Sequence, residues 1–519
     1  MSESNGLPKG WAEATIERLV GDGVFCDGDW VESEDQDPNG DIRLIQLADV
    51  GDGEYRDRSS RFLTSAKAKE LNCTFLQEGD LLIARMPDPL GRSALFPGDA
   101  KPSVTVVDVC IVRSGSKACF SHKWLMHFIN SPRFRVSVAG LQSGSTRKRI
   151  SRRNLASLSL PIPPLPEQNR IVEKIEELFS DLDAGVKALE RAKANLKRYR
   201  ASVLKSAVEG RLTEEWRKEH PQSEDGGMLL DRILRERREK WEKDQLLKFR
   251  EKGKEPPKNW QSKYEEPSHE AGLYELPSCW IWASALEICD RVENGNTPPS
   301  DEMTAGTGDV PFIKVYNLTR DGRLDFTVNP TFVSQNTHED RLGRSRVLPN
   351  DVLMNIVGPP LGKVSLVPDT YPEWNMNQAI VLFRTSRVVL SRYLALCLLS
   401  GEVLRWITRT AKATAGQFNI SVGNSRLLPI PLPPLAEQEQ IVSLVEERLS
   451  QIDAAEKTID SELIRSKRLR QSILKRAFEG KLVPQDPKDE PASVLLQRIK
   501  ATRESEQPRK GKKTKAKAK

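Results

Sequence analysis

Ile171, Ile175, Leu178, Leu182, Gly185, Leu189, Ala192, Leu196, Tyr199 and Val203 follow one another in alternating steps of four and three, with charged residues between them. That spacing predicts a helical heptad seam of about five heptads. Pro166 suits the first turn of such a helix, and Gly210 suits a left-handed stop at its end. A helix of about 40 residues spans about 60 Å, too long to lie on one small domain, so it needs a partner helix. Ile441, Val445, Ile452, Ile459, Leu469 and Ile473 offer a matching seam. Arg448, Glu462 and Ser466 fall where the first seam has Leu178, Ala192 and Leu196, which predicts a local shift of face.

Elsewhere the pattern is that of short strands. Ile42 to Leu47, Asp80 to Ala84 and Thr105 to Val112 are apolar runs between Gly/Asp turns, and Trp124 to Ile129 reads as a short helix before the break at Pro161-Ile162-Pro163-Pro164. The acidic run Asp27 to Asp41 reads as a solvated loop. Residues 213–270 are highly charged, with an exposed helix starting at Met228-Leu229-Leu230 and a linker at Pro256-Pro257 and Pro267.

The two seams belong to a repeat. Pro164-Leu165-Pro166-Glu167-Gln168 opens a stretch ending at Glu209-Gly210-Arg211-Leu212; Pro434-Leu435-Ala436-Glu437-Gln438 opens another ending at Glu479-Gly480-Lys481-Leu482. The offset is a constant 270, and about 22 of 49 positions are identical. The globular stretches before them repeat more faintly. Leu7-Pro8 before Trp11 matches Leu276-Pro277 before Trp280, Asp80-Leu81-Leu82 matches Asp351-Val352-Leu353, Leu90-Gly91-Arg92 matches Leu361-Gly362-Lys363, and Ile150-Ser151 matches Ile420-Ser421. Val494 to Ile499 echoes Met228 to Ile233. The divisions are a globular region 1–163, a long helix 164–215, a charged extension and linker 216–270, a second globular region 271–433, a second long helix 434–485, and a short helix with a basic tail 486–519. Helices that meet one another and one kind of partner need the same surface twice. Domains that read different ligands need one frame with different side chains.

A chain of 519 residues with 10 Trp and 15 Phe supports more than one core. The net charge of +7 equals the seven basic residues of Pro508 to Lys519, so residues 1–507 are neutral and any nucleic-acid contact rests on local patches. Seven scattered cysteines without a C-x-x-C pair read as reduced thiols and not a zinc site. No apolar run approaches a membrane span and the N-terminus carries no secretion pattern, so the expectation is a cytoplasmic protein with no membrane partner.

Phosphate loop, G-x-S-x-G, H-E-x-x-H and dinucleotide fingerprints are missing, as is the N-P-P-aromatic motif of adenine methyltransferases, which points away from catalysis. Ser143 to Arg149 is a flexible basic loop in which Ser145, Thr146, Arg147, Lys148 and Arg149 can meet phosphates, extended by Arg152 and Arg153. Its counterpart from Lys412 to Asn419 has less charge but adds Gln417 and Asn419, amides able to read adenine edges. Arg85 and Arg92, with Asn355 and Lys363 at corresponding places, and the strand-end pair Gln46 and Lys314 are further candidates for base or phosphate contact.

The doubled P-P-L-x-E-Q entry (Pro163 to Gln168, Pro433 to Gln438), the E-G-[RK]-L exits and the G-D-[LIV]-L element at Gly79 to Leu82, with Asn350 replacing the glycine in the second copy, resemble the specificity subunit of type I DNA restriction–modification enzymes over nearly the whole chain. The resemblance implies an α+β protein with two similar α/β target-recognition domains joined by two long helices pairing as an antiparallel coiled coil, pseudo-two-fold symmetric. Each domain would read half of a bipartite double-stranded DNA target. Two methyltransferase subunits, using S-adenosylmethionine, would dock on the helices and flip an adenine from each half-site. Restriction subunits, using ATP and Mg2+, would complete a phage-defence complex; the chain itself would hold no cofactor. A parallel helix pair would oblige residues 213–270 to run back about 60 Å, within reach of extended chain, but antiparallel helices mirror the symmetry of duplex DNA. Two other readings stand beside this one: a coiled-coil scaffold or architectural DNA-binding protein outside restriction–modification, and an enzyme with its own active site.

Overall fold

A computed structural model describes residues 7–87, 89–115, 120–144, 148–267, 272–358, 360–410, 412–414 and 417–506, with the backbone alone at 404, 410, 412–414, 417–418 and 505–506. It divides into two compact units, Met1–Glu190 with Asp460–Lys519, and Arg191–Ile459. The long helices are Leu165–Val208 and Leu435–Phe478, 44 residues each.

In the first unit the strands are β1 (Ala12–Thr15), β2 (Val24–Asp27), β3 (Ile42–Ile45), β4 (Phe62–Leu63), β5 (Leu81–Ala84), β6 (Ser93–Leu95), β7 (Ser103–Thr105), β8 (Val109–Arg113) and β9 (Ser159–Ile162). They form a four-stranded sheet β2-β8-β5-β6, a three-stranded sheet β4-β3-β7 and the pair β1-β9. The run Thr105 to Val112 is not one strand: a turn separates β7 from β8, and the two strands serve different sheets. The acidic run is not a free loop either. It begins at Asp27, the last residue of β2, and Asp29 accepts the amide of Thr74 at 2.9 Å.

The second unit repeats this plan with β10 (Ile281–Ser284), β11 (Cys289–Asn294), β12 (Met303–Ala305), β13 (Val310–Ile313), β14 (Thr331–Val333), β15 (Arg346–Val347), β16 (Val352–Asn355), β17 (Val364–Leu366), β18 (Trp374–Met376), β19 (Ile380–Thr385), β20 (Lys412–Thr414), β21 (Gln417–Asn419) and β22 (Pro429–Leu432). Sheet β11-β19-β16-β17 corresponds to β2-β8-β5-β6, and pair β10-β22 to β1-β9. The three-stranded sheet becomes β12-β14-β13-β18-β15, keeping the parallel neighbours β13 and β18 that match β3 and β7.

Within each unit, the start of one long helix lies beside the end of the other. In the first unit Arg170 pairs with Asp489 at 2.7 Å while Asp183 pairs with Arg470, so one number climbs as the other falls. In the second, Arg200 meets Asp453 and Glu456 while Arg217 meets Glu437. Both pairings are antiparallel. The apolar seam is real but drifts: Gly185, Tyr199 and Leu469 face solvent, and Val186, Arg200 and Arg470 take the half-buried places beside them. A straight helix at 3.6 residues per turn slips against a 3.5-residue repeat, and the slip is taken up at these positions.

Two helices follow the long ones. Gly226–Glu251 seats Leu229, Leu230 and Ile233 in the second unit's core, and Ala492–Glu506 seats Leu495, Leu496 and Ile499 in the first's. The echo between their sequences is thus an echo in packing. Among the described residues, no helix is long and apolar enough to cross a membrane.

Candidate nucleic-acid interface

The residues that repeat most faithfully are buried struts. Glu167 is 1 % exposed and accepts the indole N–H of Trp11 at 3.0 Å; Glu437, fully buried, accepts that of Trp280 at 2.8 Å. Gln168 accepts the amide of Ser121 and donates to the Pro163 carbonyl, and Gln438 does the same with Leu390 and Pro433. The P-P-L-x-E-Q entry therefore fastens each long helix to its globular domain. At the exits, Gly210 and Gly480 hold φ of +72° and +69°, and a Cβ on them would lie 2.5 Å from Pro277 and 2.4 Å from Pro8. The Leu-Pro element before each tryptophan packs on each glycine stop.

The G-D-[LIV]-L element is also structural. Asp80 takes a two-pronged contact from Arg113 at 2.6 Å for both prongs, and Asp351 takes one from Arg384 at 2.8 and 2.7 Å. The preceding Gly79 and Asn350 both have positive φ, +83° and +71°. That explains the substitution, since asparagine tolerates this conformation best after glycine.

Several candidates for DNA contact lie in this frame instead of on the surface. Arg92 is 5 % exposed and donates to the carbonyls of Leu47, Val50, Met86 and Pro89. Its counterpart Lys363 donates to Val315, the position matching Leu47. Asn355 is 1 % exposed, accepts the Lys363 amide and donates to the carbonyls of Val357 and Pro360. Strand register also corrects one pairing: Asn355 corresponds to Ala84, and the counterpart of Arg85 is Ile356. Gln46 and Lys314 do sit at matching places, just past β3 and β13, half-buried, with their amides held by Asp49 and Asn317.

Arg85 has a different role from the one expected. It lies 3.2 Å from Asp27 and 3.8 Å from Asp108 at the root of the basic loop. Those carboxylates reach outward to Arg152 at 3.4 Å and Arg149 at 3.1 Å. A buried guanidinium, two aspartates and two half-exposed arginines thus form a ladder of alternating charge. Arg152 also donates to the Phe25 carbonyl. Lys148 and Arg153 are exposed and have no charge partner among the described residues. Ser145, Thr146 and Arg147 lie outside the described residues, but Ser143 and Arg149 close the loop as a β-bridge.

The corresponding loop of the second unit is the hairpin β20-β21. Lys412 and Gln417 are described by backbone only. Asn419 bridges Val357, and its Oδ1 is buried without a donor among the described residues. The ladder is gone: the positions of Asp27, Arg85 and Asp108 hold Asn294, Ile356 and Ala379. Arg426, unremarked in the sequence, donates to the Val292 carbonyl, which matches Phe25. A sign of it is visible only once the strands are registered.

A cleft of about 690 Å3 in the first unit brings Arg152 and Arg153 together with Arg503 of the terminal helix. The described cysteines are free thiols; burial pushes Cys397 up to about 12. Such thiols are poor ligands and poor nucleophiles at neutral pH.

The type I restriction modification DNA specificity domain matches residues 27–191 and 284–465. The EcoBI specificity subunit of Escherichia coli is 28 % identical over 383 residues, 72 % of this chain and 70 % of that one. The EcoKI specificity subunit of Escherichia coli K12 is 26 % identical over 406 residues, 76 % and 74 % of the two chains. Among solved structures, a chain from work on complex assembly and conformational transition of the type I R-M system superposes with a TM-score of 0.63 at 17 % identity, over 92 % of this chain and 99 % of that one. The domain match takes in both globular regions, which a coiled-coil scaffold reading leaves unexplained.

Proposed function

This chain belongs to the family of type I restriction–modification DNA specificity subunits, and from that premise we propose that its two globular domains each read one half of a bipartite duplex target. It is the recognition subunit, with two target recognition domains, and not the catalyst. The observation that supports the bipartite reading is the contrast between identical struts and unlike loop roots. Trp–Glu–Gln and Asp–Arg fastenings recur in both units, while the charge ladder under one loop is replaced by Asn294, Ile356 and Ala379 under the other.

In the first domain the basic loop from Ser145 to Arg149, with Arg152 and Arg153, meets the phosphate backbone and fixes register. In the second, Gln417 supplies an amide for base edges and Lys412 a phosphate contact, while Asn419, its Oδ1 buried, stands at the root of that hairpin. Gln46 and Lys314 stand at strand ends suited to a contact in each half-site. Arg85, Arg92, Asn355 and Lys363 act on DNA only through the loops they hold. The long helices carry two methyltransferase subunits, which bring S-adenosylmethionine, and restriction subunits, which bring ATP and Mg2+, join the complex. The cell compartment is the cytoplasm, where the chromosome is.

The test is a genome-wide map of methylated adenine with this gene intact and deleted. A two-part motif that disappears on deletion is the expected result; a methylation pattern indifferent to the gene counts against the reading. Changing Arg147, Lys148 and Arg149 to Ala is expected to weaken DNA binding and flatten its salt dependence by roughly one unit of slope for each phosphate no longer neutralised. An unchanged slope takes that loop out of the interface.

A further inference from the structure

The helix Gly226–Glu251 does two different things along its length. Its inner end is seated in the second unit, and most of its cations there are held: Arg232 by Glu224, Arg237 by the Leu286 carbonyl, Arg238 by Glu242 and Lys240 by Asp290, while Arg235 is exposed with no ion pair among the described residues. From Trp241 outward the helix stands clear of that core. Trp241 stacks on Trp260 of the returning chain with centroids 5.8 Å apart, and Tyr264 and Phe249 close the cluster at 5.3 and 6.4 Å. The arm is therefore held folded by its own aromatic residues. A merely solubilising charged run would not need that.

The outer part, Lys243 to Lys263, carries Lys243, Lys248, Arg250, Lys252, Lys254, Lys258 and Lys263 against Asp244, Glu251 and Glu255, a net of +4 in a chain whose first 507 residues are neutral. All seven cations are exposed, and none has an ion pair or side-chain hydrogen bond among the described residues. Folded, unpaired positive charge at this density attracts a polyanion. We propose that this arm is a second DNA-binding element, which grips phosphates of duplex DNA without reading its sequence. The proposal rests on the DNA-recognition reading above for its ligand. Leu246 and Leu247, 37 % and 53 % exposed, are the features that a protein partner would use instead.

The experiment compares the full-length chain with a variant in which the seven cations become Gln, and with a second in which the six lysines become Arg. Binding is followed by fluorescence anisotropy across a salt series, on a random duplex and on a duplex bearing the mapped target. The Gln variant is expected to lose tenfold or more in affinity at low salt on both duplexes alike. Its log–log salt slope should fall by about 0.9 for each phosphate that the arm no longer neutralises, and the target-to-random ratio should not drop. The Arg variant should bind as the parent does. Unchanged affinity and slope on the random duplex overturns the proposal. So does loss of a co-purifying protein with DNA binding intact, which assigns the arm to a protein contact. If the parent chain itself does not distinguish the two duplexes, the recognition reading fails, while the slope on the random duplex still judges the arm.

Discussion

The two junctions where a long helix meets its recognition domain are built alike and satisfied differently. Both place a buried glutamate under a tryptophan indole and a buried glutamine across a domain amide. At Glu437, Thr213 and Arg217 complete the shell at 2.7 and 2.9 Å. At Glu167 the matching positions after the opposite helix are Val483 and Pro487, which offer nothing, and Oε1 is buried with no partner among the described residues. Burial accordingly raises the Glu167 carboxyl above its ordinary range, against the opposing pull of the Trp11 hydrogen bond and Arg170. One frame can thus be held by a saturated ion pair in one copy and a half-satisfied carboxylate in the other.

The largest test of that difference is Arg217→Met. It strips the ion partner from a fully buried carboxylate, which costs about 3 kcal/mol or more. Amide exchange read by mass spectrometry should show the segments around Leu390 and Gln438 opening, with those around Ser121 and Gln168 unchanged. Equal opening in both would mean that the junctions share their load and that the comparison is wrong.

Where the copies agree, perturbations should agree. Gly210→Ala and Gly480→Ala each force a Cβ into a proline ring at positive φ. The strain and overlap together cost about 2 kcal/mol apiece. Urea unfolding of the two variants should give losses within about 0.5 kcal/mol of one another. A much milder Gly480→Ala would show that the first unit's exit relaxes in a way the second's does not.

Much of this architecture can be read from residues in order. The 270-residue offset, the helix stop at Gly210 and the echo of Met228 to Ile233 at Val494 are local or periodic signals, and local signals survive in sequence; the antiparallel pairing follows only from the family resemblance and the symmetry of duplex DNA. The roles of Arg85 and Arg92 do not. Arg92, just ahead of β6, looks exposed until four carbonyls from Leu47, Val50, Met86 and Pro89, gathered by non-local folding, are seen to surround it. The 270-residue offset of the long helices pairs Asn355 with Arg85, whereas Leu90-Gly91-Arg92 and Leu361-Gly362-Lys363 stand 271 apart, and the β5/β8 and β16/β19 registers carry that one-residue difference through to Ile356 as the counterpart of Arg85. The acidic run misleads for the same reason: Asp27 faces Arg85 across the sheet, at a distance of 58 positions along the chain that no periodicity encodes.

Glu167→Gln should act in the opposite sense to Glu437→Gln. The folded protein holds the Glu167 proton more tightly than the unfolded chain does. Its contribution is therefore most favourable below the ordinary carboxylate range, and is lost as pH rises through that range to the raised folded value. Above the raised folded value the parent buries an ionised oxygen with no donor among the described residues. The amide should be neutral or stabilising there, by on the order of 1 kcal/mol, and should flatten the stability–pH curve between mildly acid and neutral pH. Glu437→Gln leaves Arg217 without its anion and should destabilise. Thermal melts of both variants at several pH values check this; the same sign for both would erase the distinction between the junctions.

The smallest effect lies on the helix seam, where the copies mirror each other again. Asp183 meets Arg470, which also lies over the Phe179 ring at 4.2 Å, and Asp453 meets Arg200. The pairs are related by the 270-residue offset, and each is partly exposed: Asp183 is 52 % and Asp453 38 % open to solvent. Each ionic term is then worth about 0.5 kcal/mol or less and is screened by salt. A double-mutant cycle of Asp183→Asn with Arg470→Gln, and the matching cycle of Asp453→Asn with Arg200→Gln, should return coupling energies of that size. Arg200 also reaches Glu456 at 3.3 Å, so Arg200→Gln should cost more than Arg470→Gln once the ring contact of Arg470 is kept as Lys in a control. A coupling above about 1 kcal/mol in either cycle would show that these clasps fix helix register and do more than decorate the seam.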